Sequence, residues 1–406
     1  MTDKKDTYCP APWHGGFLTY HEQSVCCGYK SLKTSSIVEF YRSDLVKKVK
    51  QDLINGTPDE RCRQQCFDLE DIGSKSHRQI YTENYPLSGI EFNRDPEADS
   101  VPQYIEVRLG NLCNYKCRIC MPTWSNQIGK EVAQHPKLAR FYNPDSISLL
   151  ERSDRDSKLI SEIIDMIPQL RWLYFTGGEP MIIPDVLTIL DAVEEQGCSK
   201  NITLQITTNV STVNPRIIER FKNLKRVQIT TSIDAVGRVA EYVRHGTDWK
   251  RVSENMEYFG KLKLENPHID LNPNLALSAY NVLVADELVE YLCDFTERYR
   301  CGSLDMSLVL GLLDPLVLVG QARQRAIDSL GRALTILQRR IDSGMSYDPN
   351  SSRKHQIVWN QFNAQRNELI AKPEDRNMYQ RFKDFTAETD QARGESFADV
   401  FGFELE

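Results

Sequence analysis

No run of 18 or more apolar residues occurs anywhere in the 406 residues, and the opening MTDKKDTYCPAPWHGG has no apolar stretch of signal-peptide length. A cytoplasmic protein that does not engage a membrane is expected. Positive charge is in short supply: 50 Lys and Arg against 57 Asp and Glu leave a formal net charge of -7. A broadly basic grip on nucleic acid is therefore not the expected mode. Internal repeats are absent too, which argues against a solenoid. With 40% hydrophobic and 26% charged residues, the chain suits one large globular domain with appended modules.

Cysteine is what the chain has in quantity. There are eleven, and without a secretory signal they are expected as free thiols for metal or catalysis, not as a disulfide framework. Eight fall in the first 120 residues: Cys9, Cys26, Cys27, Cys62, Cys66, Cys113, Cys117 and Cys120. Cys198, Cys293 and Cys301 are scattered and read as buried thiols packing as small hydrophobes.

From Tyr104 onward, β-rich runs alternate with amphipathic ones. Strands are predicted at YIEVRL from Tyr104, RWLYFT from Arg171, ITLQIT from Ile202, RVQITTSI from Arg226, LNPNLALSA from Leu271 and SLDMSLVL from Ser303. Helices are predicted over 184–196, 214–222, 249–264 and 285–299, where apolar positions recur three and four apart. Crossovers of that length demand parallel strands. The fold class is α/β: a partial (β/α)6 TIM-like barrel, with functional groups at the carboxyl ends of its strands. A cysteine-rich module over 1–100 precedes the barrel, taken as 101–315, and a helical extension over 316–406 follows it. Residues 134–157 read as an insertion, and SYDPNSSRK as a polar break in the extension.

Within VRLGNLCNYKCRICMPTW, Cys113, Cys117 and Cys120 form a CxxxCxxC pattern just after a predicted strand. Three thiolates can hold three irons of a 4Fe-4S cluster and leave the fourth open to another ligand. The alternative, a zinc site, usually takes four ligands, and the nearest histidine after the loop is His135. The second strand runs into FTGGEP, the third into ITTNV and the fourth into TTSIDA, followed by EYVRHGTDW. Polar groups thus recur at successive strand ends: Gly177, Gly178 and Glu179, then Thr207, Thr208 and Asn209, then Ser232 and Asp234. Taken singly, such residues are also ordinary helix caps.

The CxxxCxxC loop, GGEP and the two strand ends together resemble the radical S-adenosylmethionine (SAM) superfamily, over most of residues 104–310. One departure is Ile119, where the family usually has an aromatic before the third cysteine. The resemblance implies a catalytic 4Fe-4S cluster on Cys113, Cys117 and Cys120, with SAM as second cofactor. It implies that Gly177 and Gly178 let backbone approach that cofactor and that Glu179 faces its methionyl amine. Thr208, Asn209, Ser232 and Asp234 are implied as ribose and carboxylate contacts, and Arg244 as a partner of the cofactor carboxylate.

Cys9, the Cys26-Cys27 pair, Cys62 and Cys66 offer four ligands and a spare. They look like the auxiliary-cluster module called SPASM or twitch, placed before the barrel, and imply a second iron-sulfur cluster. Which of Cys26 and Cys27 binds is open, and a four-thiolate zinc site is the alternative. The implied activity is reductive cleavage of SAM and hydrogen abstraction from a peptide or protein side chain, with an electron donor such as flavodoxin or ferredoxin as partner. A small metabolite, sugar or nucleotide is the alternative substrate, and a non-catalytic iron-sulfur or zinc protein is the alternative class. No general acid or base is named by the sequence.

Overall fold

The computed structural model describes residues 6–20, 22–29, 31–34, 36–71, 76–99, 101–144, 157–301, 304–343 and 349–406. Part of the expected insertion (145–156), Ser303 and the first third of the polar break (346–348) lie outside them. Among the described residues ten strands follow in chain order: β1 Gly15–Thr19, β2 Gln23–Ser24, β3 Tyr104–Arg108, β4 Lys116–Cys117, β5 Trp172–Thr176, β6 Thr203–Thr208, β7 Arg226–Ser232, β8 Arg244–His245, β9 Ile269–Leu277 and β10 Asp305–Leu308. The chain divides into two compact units: residues 1–110, 154–206 and 215–227 form one, and 111–153, 207–214 and 228–406 the other.

In the first unit the strand order is β2-β1-β3-β5-β6. β3 pairs in parallel with β5, Glu106 opposite Tyr174 and Arg108 opposite Thr176, and β5 pairs in parallel with β6. The helix Pro184–Glu195 is the crossover between β5 and β6; its buried Val186, Ile189, Leu190 and Val193 recur at three- and four-residue steps. All six expected barrel strands form. β1 was not expected: its GGFLT text is glycine-rich and short, yet it adds in parallel to β3. The cysteine-rich segment is thereby built into the sheet of its unit.

That segment is a set of short elements held by polar ties. Its helix Asp44–Asn55 is capped by Ser43 at one end and by Gly56 at the other. The helix His77–Leu87 starts with a reciprocal Ser76–Gln79 capping box. Trp13 donates from Nε1 to Asp95 O at 2.7 Å, and buried His14 accepts from the Asn93 amide at 3.0 Å. Burial, aided by Lys50, pulls the His14 pKa down to about 4. A histidine depressed below its unfolded value of about 6.5 gives stability that is full above that value and is lost as pH falls towards 4. We expect acidification across that window to cost on the order of 2–3 kcal/mol. In denaturant titrations, His14→Gln should flatten the slope there.

In the second unit the order is β10-β9-β7, and β9 pairs in parallel with β10. β9 alternates buried and half-buried residues along its length, as a strand with one covered face should. The helix Trp249–Glu265 precedes it and Ala285–Arg298 follows it. Beyond Gly320 the unit is helical, as expected: Gly320–Asp342, Pro349–Ala371, Arg376–Arg393 and Phe397–Phe401. No helix among the described residues is long and apolar enough to cross a membrane. The architecture is a mixed α/β fold with a parallel-strand sheet and a helical C-terminal region, consistent with a partial barrel.

Candidate functional site

In the second unit the three-cysteine loop is folded on its own hydrogen bonds. The Cys113 amide donates to Asn126 Oδ1 at 3.1 Å, Ser125 Oγ to Tyr115 O at 2.7 Å, and the Cys120 amide to Cys117 O at 3.0 Å. Cys117 lies on β4, which pairs antiparallel with β8 so that Cys117 stands opposite Arg244. Burial pushes the Cys117 thiol up to about 12, with Arg244 pulling the other way. Cys120 is raised further, again by burial, with the neighbouring Cys117 and Cys113 adding to it. Such thiols stay protonated at neutral pH until a metal takes their place as the proton's competitor.

The end of β6 reaches this loop. Asn209 donates from Nδ2 to Asn114 Oδ1 at 3.0 Å, and the same nitrogen lies 3.9 Å from Cys113 Sγ. The Ser211 amide donates to Asn209 Oδ1 at 2.9 Å, and between them stands Val210, a buried β-branched residue at φ 63°. Such a conformation costs on the order of 1–3 kcal/mol and persists where its surroundings fix it. Here Thr208 Oγ1 accepts from the Val210 amide at 3.1 Å, and Asn255 donates to Val210 O at 2.7 Å.

At the end of β7 a pocket of about 200 Å³ is lined by Asn209, Ser232, Asp234, Arg244, Thr247 and Trp249, among others. Four of the expected site residues therefore share one cavity. Arg244 was expected to meet a cofactor carboxylate; its Nε donates to Asp234 Oδ2 at 2.7 Å. Asp234 is buried and its other oxygen accepts from the Ala276 amide at 2.8 Å. The ten-residue spacing between Asp234 and Arg244 crosses a helix and a turn, so no local pattern announces the pair.

The GGEP turn lies in the first unit. Gly177 has φ 86°, and a Cβ there would stand 3.2 Å from Gly110 O and 3.3 Å from Arg108 Cβ. Only glycine meets both demands. Glu179 is fully buried and accepts from the Met181 amide at 3.0 Å, capping the turn Pro180–Ile182. The capping reading is thus realised for Glu179, whereas Thr208 closes the turn after β6 and caps no helix.

The first unit also contains a mostly apolar recess of about 420 Å³, lined by Cys9, Cys26, Cys62 and Cys66 with Tyr29, Phe67, Arg78 and Tyr81. Cys62 ends a short helix and Cys66 sits in the π-helical turn Arg63–Phe67 that continues it, a widening common at functional sites. Arg78 fixes the recess wall: it pairs with Glu70, donates to Tyr8 O at 2.9 Å and lies over the Phe67 ring. Cys27 is not among the lining residues; its sulfur lies 3.8 Å from Tyr81 Oη and 4.0 Å from His77 Nε2, two residues of the recess wall. Burial raises Cys62 to about 12 and Cys27 to about 11. Cys198, Cys293 and Cys301 are buried, as expected.

Both groups are thiol-only donor sets, and the four thiols of the first unit line one open recess. A soft, thiol-only donor set suits iron-sulfur chemistry.

Several known proteins are similar to parts of this chain. Over 130 residues the chain is 26% identical to a GTP 3',8-cyclase of Acaryochloris marina (strain MBIC 11017); the match covers 31% of this chain and 33% of that relative's length. Among solved structures, Streptococcus suis SuiB bound to S-adenosylmethionine aligns over 81% of this chain and 67% of its own, at 13% identity and a TM-score of 0.35. The methyltransferase TsrM of Kitasatospora setae, with cobalamin and a [4Fe-4S] cluster, aligns over 61% and 40%, at 11% identity and a TM-score of 0.36. Residues 107–273, which carry the three-cysteine loop, the GGEP turn and the Asp234–Arg244 pocket, match the profile of the radical SAM superfamily, whose members are enzymes that use a 4Fe-4S cluster and S-adenosylmethionine.

Proposed function

We propose that this chain cleaves SAM reductively at a cluster held by Cys113, Cys117 and Cys120, and uses the product to take hydrogen from a peptide or protein side chain. The observation that carries the first half is the pairing of the three-thiol loop with Asn209, which also lines the Ser232–Asp234–Arg244 pocket of the same unit. When bound, the cluster supplies one electron to the sulfonium of SAM, giving methionine and a 5'-deoxyadenosyl radical that abstracts hydrogen from substrate.

The chain's own groups have defined tasks in this reading. The Asn209 amide steadies Cys113 through an N–H···S contact, one of the levers that tune cluster sulfurs. Asp234 orients Arg244, leaving the guanidinium's terminal nitrogens to meet an anionic group in the pocket. Ser232 and Thr208 suit ribose hydroxyls, and Gly177, Gly178 and Glu179 suit the methionyl end, as the resemblance implies. Cys9, Cys26, Cys62 and Cys66 are proposed to hold a second, fully ligated cluster over the 1–100 module, ahead of a barrel over 101–315 and a helical extension over 316–406. A reduced flavodoxin or ferredoxin is the proposed electron source.

The peptide preference rests on the auxiliary-cluster module that the N-terminal cysteines resemble; a small metabolite is the second reading. Isothermal titration of the reconstituted protein with SAM tests the pocket assignment. Arg244→Met should weaken binding roughly tenfold or more, the loss of one charge-assisted contact of about 1.5–3 kcal/mol, while Tyr20→Phe, outside the pocket, should leave it unchanged. Equal affinity in Arg244→Met removes Arg244 from the cofactor site.

A further inference from the structure

Cys117 is gripped from both flanks by one short stretch near the end of the chain. Lys116 donates to Glu131 Oε1 at 2.7 Å, and Glu131 also takes two bonds from Arg393, at 3.0 and 2.8 Å. On the other side the Arg118 side chain is wholly buried. Its guanidinium lies 3.6 Å from the Tyr242 ring centroid, and its Nε donates to Tyr242 O at 3.1 Å. Its Nη2 pairs with Asp390 and, at 2.6 Å, with Glu395 Oε2. The second oxygen of Glu395 meets His245 Nδ1 at 2.6 Å, on the β8 strand that faces Cys117.

Asp390, Arg393 and Glu395 therefore hold residue 116, residue 118 and the paired strand at once. Gly394 makes this convergence possible: it ends the helix Arg376–Arg393 at φ 64°, and the Glu395 amide returns to Asp390 O at 3.0 Å. The two carboxylates are thereby brought to one guanidinium. Exposed ion pairs contribute little, but breaking a buried one leaves an uncompensated charge. The charges also cancel: Lys116, Arg118 and Arg393 stand against Glu131, Asp390 and Glu395, three of each sign.

We propose that Asp390–Glu395 is a clamp on the cysteine loop, and that Arg118, Asp390 and Glu395 are positioning residues that hold Cys117 in place and set the charge around the cluster. This rests on the reading that the loop carries a cluster. Because added positive charge nearby favours the reduced cluster, the sign of each substitution fixes the sign of its effect. Removing a carboxylate charge should raise the potential, and removing the guanidinium charge should lower it.

The test is a redox titration, followed by electron paramagnetic resonance, of the anaerobically reconstituted full chain, reading the cluster signal that changes on adding SAM. Asp390→Asn and Glu395→Gln, which keep the side-chain shape, should shift its midpoint upward; Arg118→Met should shift it downward, and Arg118→Lys should return it towards the native value. If Arg118→Met fails to fold, the two amide variants carry the test. Unchanged midpoints with only the melting temperature falling, a downward shift in either amide variant, or an upward shift in Arg118→Met overturns the clamp and leaves a purely structural tie. A Cys113→Ala/Cys117→Ala/Cys120→Ala chain that keeps its full iron and this signal overturns the cluster reading, and the clamp with it.

Discussion

Alanine at Cys26 is expected to remove about four of the about eight irons that the reconstituted chain should bind with two clusters, whereas alanine at Cys27 should leave the count unchanged. The two thiols are adjacent in sequence, but only Cys26 is among the residues that line the recess. Cys26 lines the recess with Cys9, Cys62 and Cys66, while Cys27 turns to Tyr81 and His77. Losing one of four protein ligands destabilises a cluster built around all four, and Cys27 would have to abandon its present neighbours to serve as a substitute. Iron and acid-labile sulfide assays on the two single variants read the outcome directly. Equal losses from both, or a loss from Cys27→Ala alone, would reject the assignment.

Asp234→Ala should be the most damaging single substitution in the pocket, costing roughly 3–5 kcal/mol of stability. The carboxylate is 1% exposed and bonds both the Arg244 guanidinium and the Ala276 amide. Its removal strands a largely buried cation and a backbone donor together. Asp234→Asn keeps an acceptor for Ala276 and should cost clearly less, while still releasing Arg244 from its orientation. Denaturant midpoints of the two variants provide the comparison. Similar small losses in both would mean that Arg244 finds another partner, and that the pair does not shape the pocket.

The sequence was most informative where chemistry demands particular residue types at a fixed spacing beside a strand. CxxxCxxC, GGEP and the polar ends of β6 and β7 all lie in turns that the β/α alternation located, because period-2 and period-3.6 patterns are local. β1 escaped because two glycines and three further residues carry too little pattern, and its pairing with β3 spans some ninety residues. The choice between Cys26 and Cys27 was equally out of reach: consecutive side chains in a turn diverge according to tertiary packing. The clamp lay furthest from view, since Arg118 and Asp390 are separated by 272 positions and each, read alone, is an ordinary charged residue. Arg244 illustrates the intermediate case. Both Arg244 and Asp234 read separately as cofactor contacts, and nothing in the sequence announced that they bond each other.

The decisive measurement is the amount of 5'-deoxyadenosine released from SAM by the anaerobically reconstituted, reduced protein, set beside a chain with alanine at Cys113, Cys117 and Cys120. Release by the native chain and none by the variant is the predicted result. No release from a native chain that holds its iron and binds SAM, or equal release from both, would contradict a radical SAM centre on these three cysteines.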